Sequence, residues 1–213
     1  FTERLGFDVG VQAFLGDNAE PAAPAVGNFS FDNLLTVFAG LRFNFNDNIA
    51  LKGIFYYQDY NADVWNGADW IDGDFDSVNA WKVIVDVKQE ALKFTSLWLE
   101  YGQMDAGFVT PTEMGDGGSM FVTDRYADNH IMWDDLKYFR VVAGQEWTEK
   151  WATHLFYYNY DFDLDATEDF KEWGLGVQYT YNPNVKFGLN YVKIDWDNSD
   201  DDDVIRFRTQ VTF

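Results

Sequence analysis

Residues 204–213 read VIRFRTQVTF and separate into two rows. Ile205, Phe207, Thr209, Val211 and Phe213 alternate with Val204, Arg206, Arg208, Gln210 and Thr212. A repeat of two is the side-chain period of a β-strand, because successive Cβ atoms point to opposite faces. One face of this strand is therefore apolar, and the other carries two arginines.

The same alternation recurs upstream, and ten segments follow it: about 4–16, 34–46, 49–59, 78–89, 93–103, 137–147, 151–160, 173–181, 185–196 and 204–213. The row Leu5, Phe7, Val9, Val11, Ala13, Leu15 is one instance, and Trp173, Leu175, Val177, Tyr179, Tyr181 is another. No long stretch has helical periodicity. The connections alternate between short and long. Asn46-Asp47-Asn48, Gln89 to Leu92, Thr148-Glu149-Lys150 and Asn182-Pro183-Asn184 are short, and the Asn, Asp and Pro of the first and last suit tight turns. Between them lie long connections near 17–33, 60–77, 104–136, 161–172 and 197–203. That order predicts an up-and-down antiparallel sheet with every long loop at one end. One domain over residues 1–213 is expected.

Composition narrows the class. Of 213 residues, 19% are aromatic, none is Cys, and the formal net charge is −21. The missing cysteines exclude a disulfide scaffold and a thiolate metal site. The charge argues against nucleic acid as a partner, since a basic face would be needed, and none is expected. No apolar run reaches the ~18–20 residues of a transmembrane helix.

Two arrangements satisfy this pattern. In a soluble sandwich or lipocalin-like barrel the apolar rows point inward. In a membrane barrel they point outward. The second is preferred because Trp147, Trp151 and Tyr181 mark the short-turn end of the apolar rows and Tyr57, Trp81, Tyr101 and Trp173 the long-loop end. Two aromatic girdles flanking an apolar band suit the two interfaces of a bilayer. In hydrocarbon every backbone polar group must be paired, so the last strand is expected to close onto the first.

The closing segment RFRTQVTF resembles the C-terminal signal strand of bacterial outer-membrane β-barrel proteins, which alternates apolar residues and ends in an aromatic. Phe207, Thr209, Val211 and Phe213 stand at the matching positions, with Thr209 smaller than the usual apolar group. The acidic, aromatic-rich, cysteine-free chain is similar to porins. The resemblance implies a transmembrane antiparallel up-and-down β-barrel of about ten strands, or the last ten of a larger one. It also implies a Gram-negative outer membrane, with the termini on the periplasmic side. The implied partners are outer-membrane lipid, the barrel assembly machinery, small hydrophilic solutes and a homo-oligomer.

Strand parity places Arg42, Lys52, Lys82, Asp86, Lys88, Glu100, Arg140, Glu146, Lys186, Arg206 and Arg208 on the row opposite the apolar one. Eight of these are among the chain's fifteen Lys and Arg. They are the expected pore lining of a passive-diffusion channel that favours anions. The alternative is a structural or adhesive barrel whose lumen is filled by internal pairs such as Arg140 with Glu100. No cofactor is expected beyond calcium at the acidic loops. There Asp161, Asp163, Asp165, Thr167, Asp169 and Glu172 hold positions 1, 3, 5, 7, 9 and 12 of a calcium loop. Ala166 replaces the glycine such a loop needs for its turn. An enzyme is not expected: the only histidines are His130 and His154, and neither belongs to a nucleophile–base spacing.

Overall fold

A computed structural model describes residues 4–15, 29–65, 70–73, 77–108, 134–163 and 168–212. The elements are β1 (Leu5–Leu15), β2 (Phe29–Asn46), β3 (Ile49–Trp65), β4 (Trp70–Gly73), β5 (Val78–Val87), α1 (Gln89–Leu92), β6 (Ser96–Met104), β7 (Leu136–Glu146), β8 (Trp151–Phe162), β9 (Phe170–Asn182), β10 (Val185–Trp196) and β11 (Asp202–Val211). Each of the ten expected strands is present. They form one antiparallel sheet in which every strand pairs with its sequence neighbours, in the order β1-β2-β3-β5-β6-β7-β8-β9-β10-β11. β4 pairs only with β3 and extends that strand beyond the main sheet.

The expected pairing of the last strand with the first is not formed among the described residues. β1 and β11 are the two edges of the sheet. Phe213 lies outside the described residues.

Alternate rows have opposite fates. Phe7, Val9, Val11, Leu41, Phe55, Leu155, Leu175 and Leu189 are exposed, and Ile205 and Phe207 reach 76% and 67%. The intervening row contains the buried residues, among them Tyr56, Ile84, Tyr138, Phe156, Tyr158 and Val192. A flat sheet would leave both faces open. Here one face is buried although no second layer of described residues covers it, so the sheet curls and that face is the inner one. The greasy rows look outward. A soluble arrangement would place these rows in a dry core, and none of them is there.

Aromatic rings mark both ends of the outer face. Trp151 stacks near Tyr179 with ring centroids 4.6 Å apart, below the level where Trp81 meets Tyr101 at 5.6 Å and Trp173 meets Tyr191 at 6.0 Å. From Trp173 to Tyr181 on β9 is eight residues. That is ~27 Å along a strand rising ~3.4 Å per residue, or roughly 20 Å of height at the ~35–45° tilt of such strands, which fits within an outer-membrane apolar band ~25 Å tall.

The boundaries that differ from the sequence reading have local causes. β2 begins at Phe29 rather than 34, and its register with β3 shifts between Phe31 and Asn33, an irregularity that a strict period of two does not reveal. β3 and β4 continue past the apolar band, where alternation is no longer required. The short connection after β5 is one turn of helix, α1. It ends at Lys93 with φ 70°, and the Lys93 N–H donates to Gln89 O at 2.7 Å. Gln89 also ties this turn to β7, accepting from Glu146 N–H at 2.7 Å and donating to Glu146 O at 3.0 Å.

Val177 lies at mid-band on the outer row, four residues from both Trp173 and Tyr181. Val177→Arg is expected to lower stability in lipid vesicles by about 2–4 kcal/mol, the cost of a cation at the bilayer midplane. Gln178→Arg, on the inner row of the same strand, costs less than half as much. Urea unfolding from vesicles measures both.

Candidate functional site

Cross-strand register stacks the inner-face residues into belts. The middle belt runs Ile84, Glu100, Arg140, Tyr158, Glu172 and Ile194 from β5 to β10. The next belt toward the long loops is Lys82, Gly102, Tyr138, Tyr160, Phe170 and Trp196. The next toward the short turns is Asp86, Trp98, Val142, Phe156, Gly174 and Val192. Beyond it come His154, Gly176, Asn190 and Arg206, and then Gln178, Gly188 and Arg208.

Large rings sit beside glycines in these belts. A Cβ on Gly102 would lie 2.5 Å from the Tyr138 hydroxyl oxygen, and one on Gly174 would lie 2.6 Å from Phe156 Cζ. The glycines let these rings lie along the wall, which a side chain at either position would prevent.

The middle belt is organised around Glu100, which is 3% exposed. The Trp98 indole N–H donates to Oε2 at 3.0 Å and the Tyr138 hydroxyl donates to Oε1 at 2.9 Å. Arg140 Nη1 stands 3.5 Å from the same Oε1. The guanidinium carbon lies 4.6, 5.4 and 5.8 Å from the ring centroids of Tyr138, Tyr158 and Tyr160. These are cation–π distances. Lys52 repeats the motif nearer the short turns, with Nζ 3.6 Å from Asp86 Oδ2 and 4.8 Å from the Trp98 centroid.

The residues expected to line a pore thus divide into two groups. Lys52, Asp86, Glu100 and Arg140 belong to internal pairs, and Lys82 is buried above them. Arg42, Glu146, Lys186 and Arg208 are exposed toward the short-turn end, and Arg206 is half-buried. Among the described residues no ion pair engages Arg42, Lys186 or Arg208. Lys88 follows β5 and precedes α1, so it is off the strand on which it was expected. The sequence reading missed Tyr138, Tyr160 and Phe170, and it assigned Glu172 to a metal loop. β9 begins at Phe170, and Glu172 is a fully buried inner-face residue paired across the strands with Tyr158. Extending the parity of 173–181 back three residues would have revealed it.

No protein-family model matches the chain, and no curated protein does. Among solved structures, a channel titled CymD monoaromatic hydrocarbon channel matches 99% of this chain and 70% of its own length, with TM-score 0.51 and 9% identity. This chain has the fold of bacterial outer-membrane β-barrels. OmpT, an outer membrane protein of Vibrio cholerae solved as a trimer, aligns with 99% of the chain and 85% of its own at TM-score 0.37 and 15% identity.

The calcium-loop positions of this outer-membrane barrel fold fall partly on Asp165 and Thr167, outside the described residues. Of the described ones, Asp163 Oδ1 accepts from Lys137 Nζ at 3.0 Å and Asp169 Oδ1 accepts from Phe162 N–H at 2.7 Å. Among the described residues no group of three or more His, Asp or Glu is placed to hold a metal. His130 also lies outside them. His154 faces inward, stacked on Phe156 at 6.2 Å.

Two loops at the long-loop end are tied together. Glu168 accepts hydrogen bonds from the backbone N–H groups of Asn198 and Ser199, and Ser199 Oγ donates to its Oε2 at 2.6 Å. The Ser199 hydroxyl, followed by these amides, holds the Glu168 carboxyl below its usual range. A carboxylate with a depressed folded-state value stabilises above its unfolded value, and that contribution is lost as pH falls through the folded one. The amides of Asn198 and Ser199 are expected to be protected from hydrogen exchange above roughly pH 5 and released in acid below the ordinary carboxylate value of ~4.3. In Glu168→Gln the protection is weak at both pH values.

Proposed function

We propose that the chain forms the wall of an outer-membrane channel for passive diffusion of small hydrophilic solutes, with a preference for anions. One observation carries this reading: Arg42, Lys186 and Arg208 are exposed to water on the inner face, while the outer face of the same strands is apolar. A charged inner wall is the usual source of ion selectivity in a pore. The inner face is asymmetric. A solute entering from the long loops meets acidic loops, then the aromatic and Glu100–Arg140 belts, then the cationic short-turn end. The short turns are assigned to the periplasm, as in bacterial barrels generally. The similar solved structure is itself titled a channel, which supports a transport role.

A second reading has an observation in its favour. The belts around Tyr158, Tyr160 and Phe170 are closely packed, at 1% exposure each. A barrel stoppered there would be structural, or would bind a partner through its loops.

Planar-bilayer recording separates the two. The channel reading predicts stepwise conductance with chloride favoured over potassium. Arg206→Glu combined with Arg208→Glu is expected to lower the chloride-to-potassium permeability ratio by roughly two-fold or more. Stable insertion without conductance would support the stoppered barrel, and an unchanged ratio would remove these arginines from the solute path.

A further inference from the structure

Arg140 has donor capacity that the protein leaves unused. Its Nε is buried and has no hydrogen-bond partner. Its Nη1 lies 3.5 Å from Glu100 Oε1, beyond the ~2.7–2.9 Å of a charge-assisted hydrogen bond. Glu100 does not depend on that contact, because Trp98 donates to one of its oxygens at 3.0 Å and Tyr138 to the other at 2.9 Å. The carboxylate is held in place by neutral donors, and the guanidinium stands beside it without a close partner. Leaving a buried charged donor without an acceptor is costly, so the arrangement suits a site whose acceptor arrives with a solute.

The guanidinium is also oriented, and although Nε itself is shut off from solvent, part of the side chain is not. Tyr138 at 4.6 Å, Tyr158 at 5.4 Å and Tyr160 at 5.8 Å surround it. The side chain nevertheless keeps 19% of its surface open to solvent. Nε–H and an Nη–H of arginine form a parallel fork that matches the two oxygens of a carboxylate. A halide has one centre and fits only one arm of the fork. A dianion brings a second charge toward Glu100, which pairs with Arg140 across the strands, and toward Glu172, one strand beyond Tyr158 on the same belt. A single carboxylate suits both the fork and the charge balance.

We propose that Arg140 is a solute-binding residue that captures the carboxylate of small monocarboxylates midway along the inner face, beside a Glu100 carboxylate that Trp98 and Tyr138 hold in place and whose charge opposes the solute's. As a step in permeation, this rests on the channel reading, whereas binding itself does not require conduction. The folded protein in detergent micelles is titrated with acetate and with benzoate, and binding is followed by saturation-transfer NMR and calorimetry. The native protein is expected to bind both. Arg140→Lys keeps the charge but loses the fork, and should weaken binding about ten-fold or more. Glu100→Gln removes a neighbouring negative charge and should tighten it, whereas Arg208→Gln should leave it unchanged. Heat-modifiable gel mobility confirms that each variant is folded. No saturable binding by the native protein overturns the inference, as does equal affinity in Arg140→Lys or weaker binding in Glu100→Gln. A silent channel in bilayers would count against the channel reading while the binding result stands on its own.

Discussion

An unpaired amide in hydrocarbon costs several kcal/mol, and the rest of this structure follows from avoiding that cost. A helix solves the problem within one segment, but among the described residues no helix is long and apolar enough to cross a membrane. Strands solve it by pairing with neighbours, and each strand from β2 to β10, apart from the β4 extension, pairs on both sides. Pairing then fixes where the side chains go. Once the backbone is extended, odd and even residues have no choice but to face opposite ways, so one row meets lipid and the other lines the interior. The edges of β1 and β11 are where the constraint remains open. Any strand that meets β11 in the membrane must continue the outer row of Ile205, Phe207 and Val211 and satisfy the β11 amides.

The inner face shows how polar groups are accommodated next to that wall. Glu100 is buried, yet three donors surround it. Trp98 and Tyr138 donate to its two oxygens, so losing either donor would leave a buried carboxylate oxygen unsatisfied, while Arg140 stands beside it at 3.5 Å. The glycines at 102 and 174 belong to the same construction, because they clear the space in which the neighbouring rings lie. Toward the short turns the packing loosens and the cations Arg42, Lys186 and Arg208 meet water. The functional question is how a solute passes from one regime to the other, and Arg140 stands at the junction.

Much of this was legible in the residues. The alternation that puts Leu155 outward and Phe156 inward is written in the chain, as is the short–long rhythm of the connections. The Arg140–Glu100 pair could be anticipated because both residues fall on the polar row of consecutive strands. Three things were not legible. The start of β9 was hidden because Phe170, an inward aromatic, does not look like a residue of a polar row, and this sent Glu172 to a metal loop. The helical turn α1 was hidden because four residues cannot display a period. The aromatic belt was missed because Tyr138 and Tyr160 face each other across strands (ring centroids 6.5 Å apart), and only register reveals such a meeting.

The claim on which the account depends is that the apolar rows face lipid. The chain has no cysteine, so single cysteines introduced one at a time from 151 to 158 on β8 can carry spin labels without background. The barrel is reconstituted in bilayers and relaxation by oxygen is compared with relaxation by a water-soluble nickel complex. The account predicts alternation, with labels at 151, 155 and 157 relaxed by oxygen and labels at 154, 156 and 158 shielded from it. The opposite phase, or no alternation at all, would contradict it.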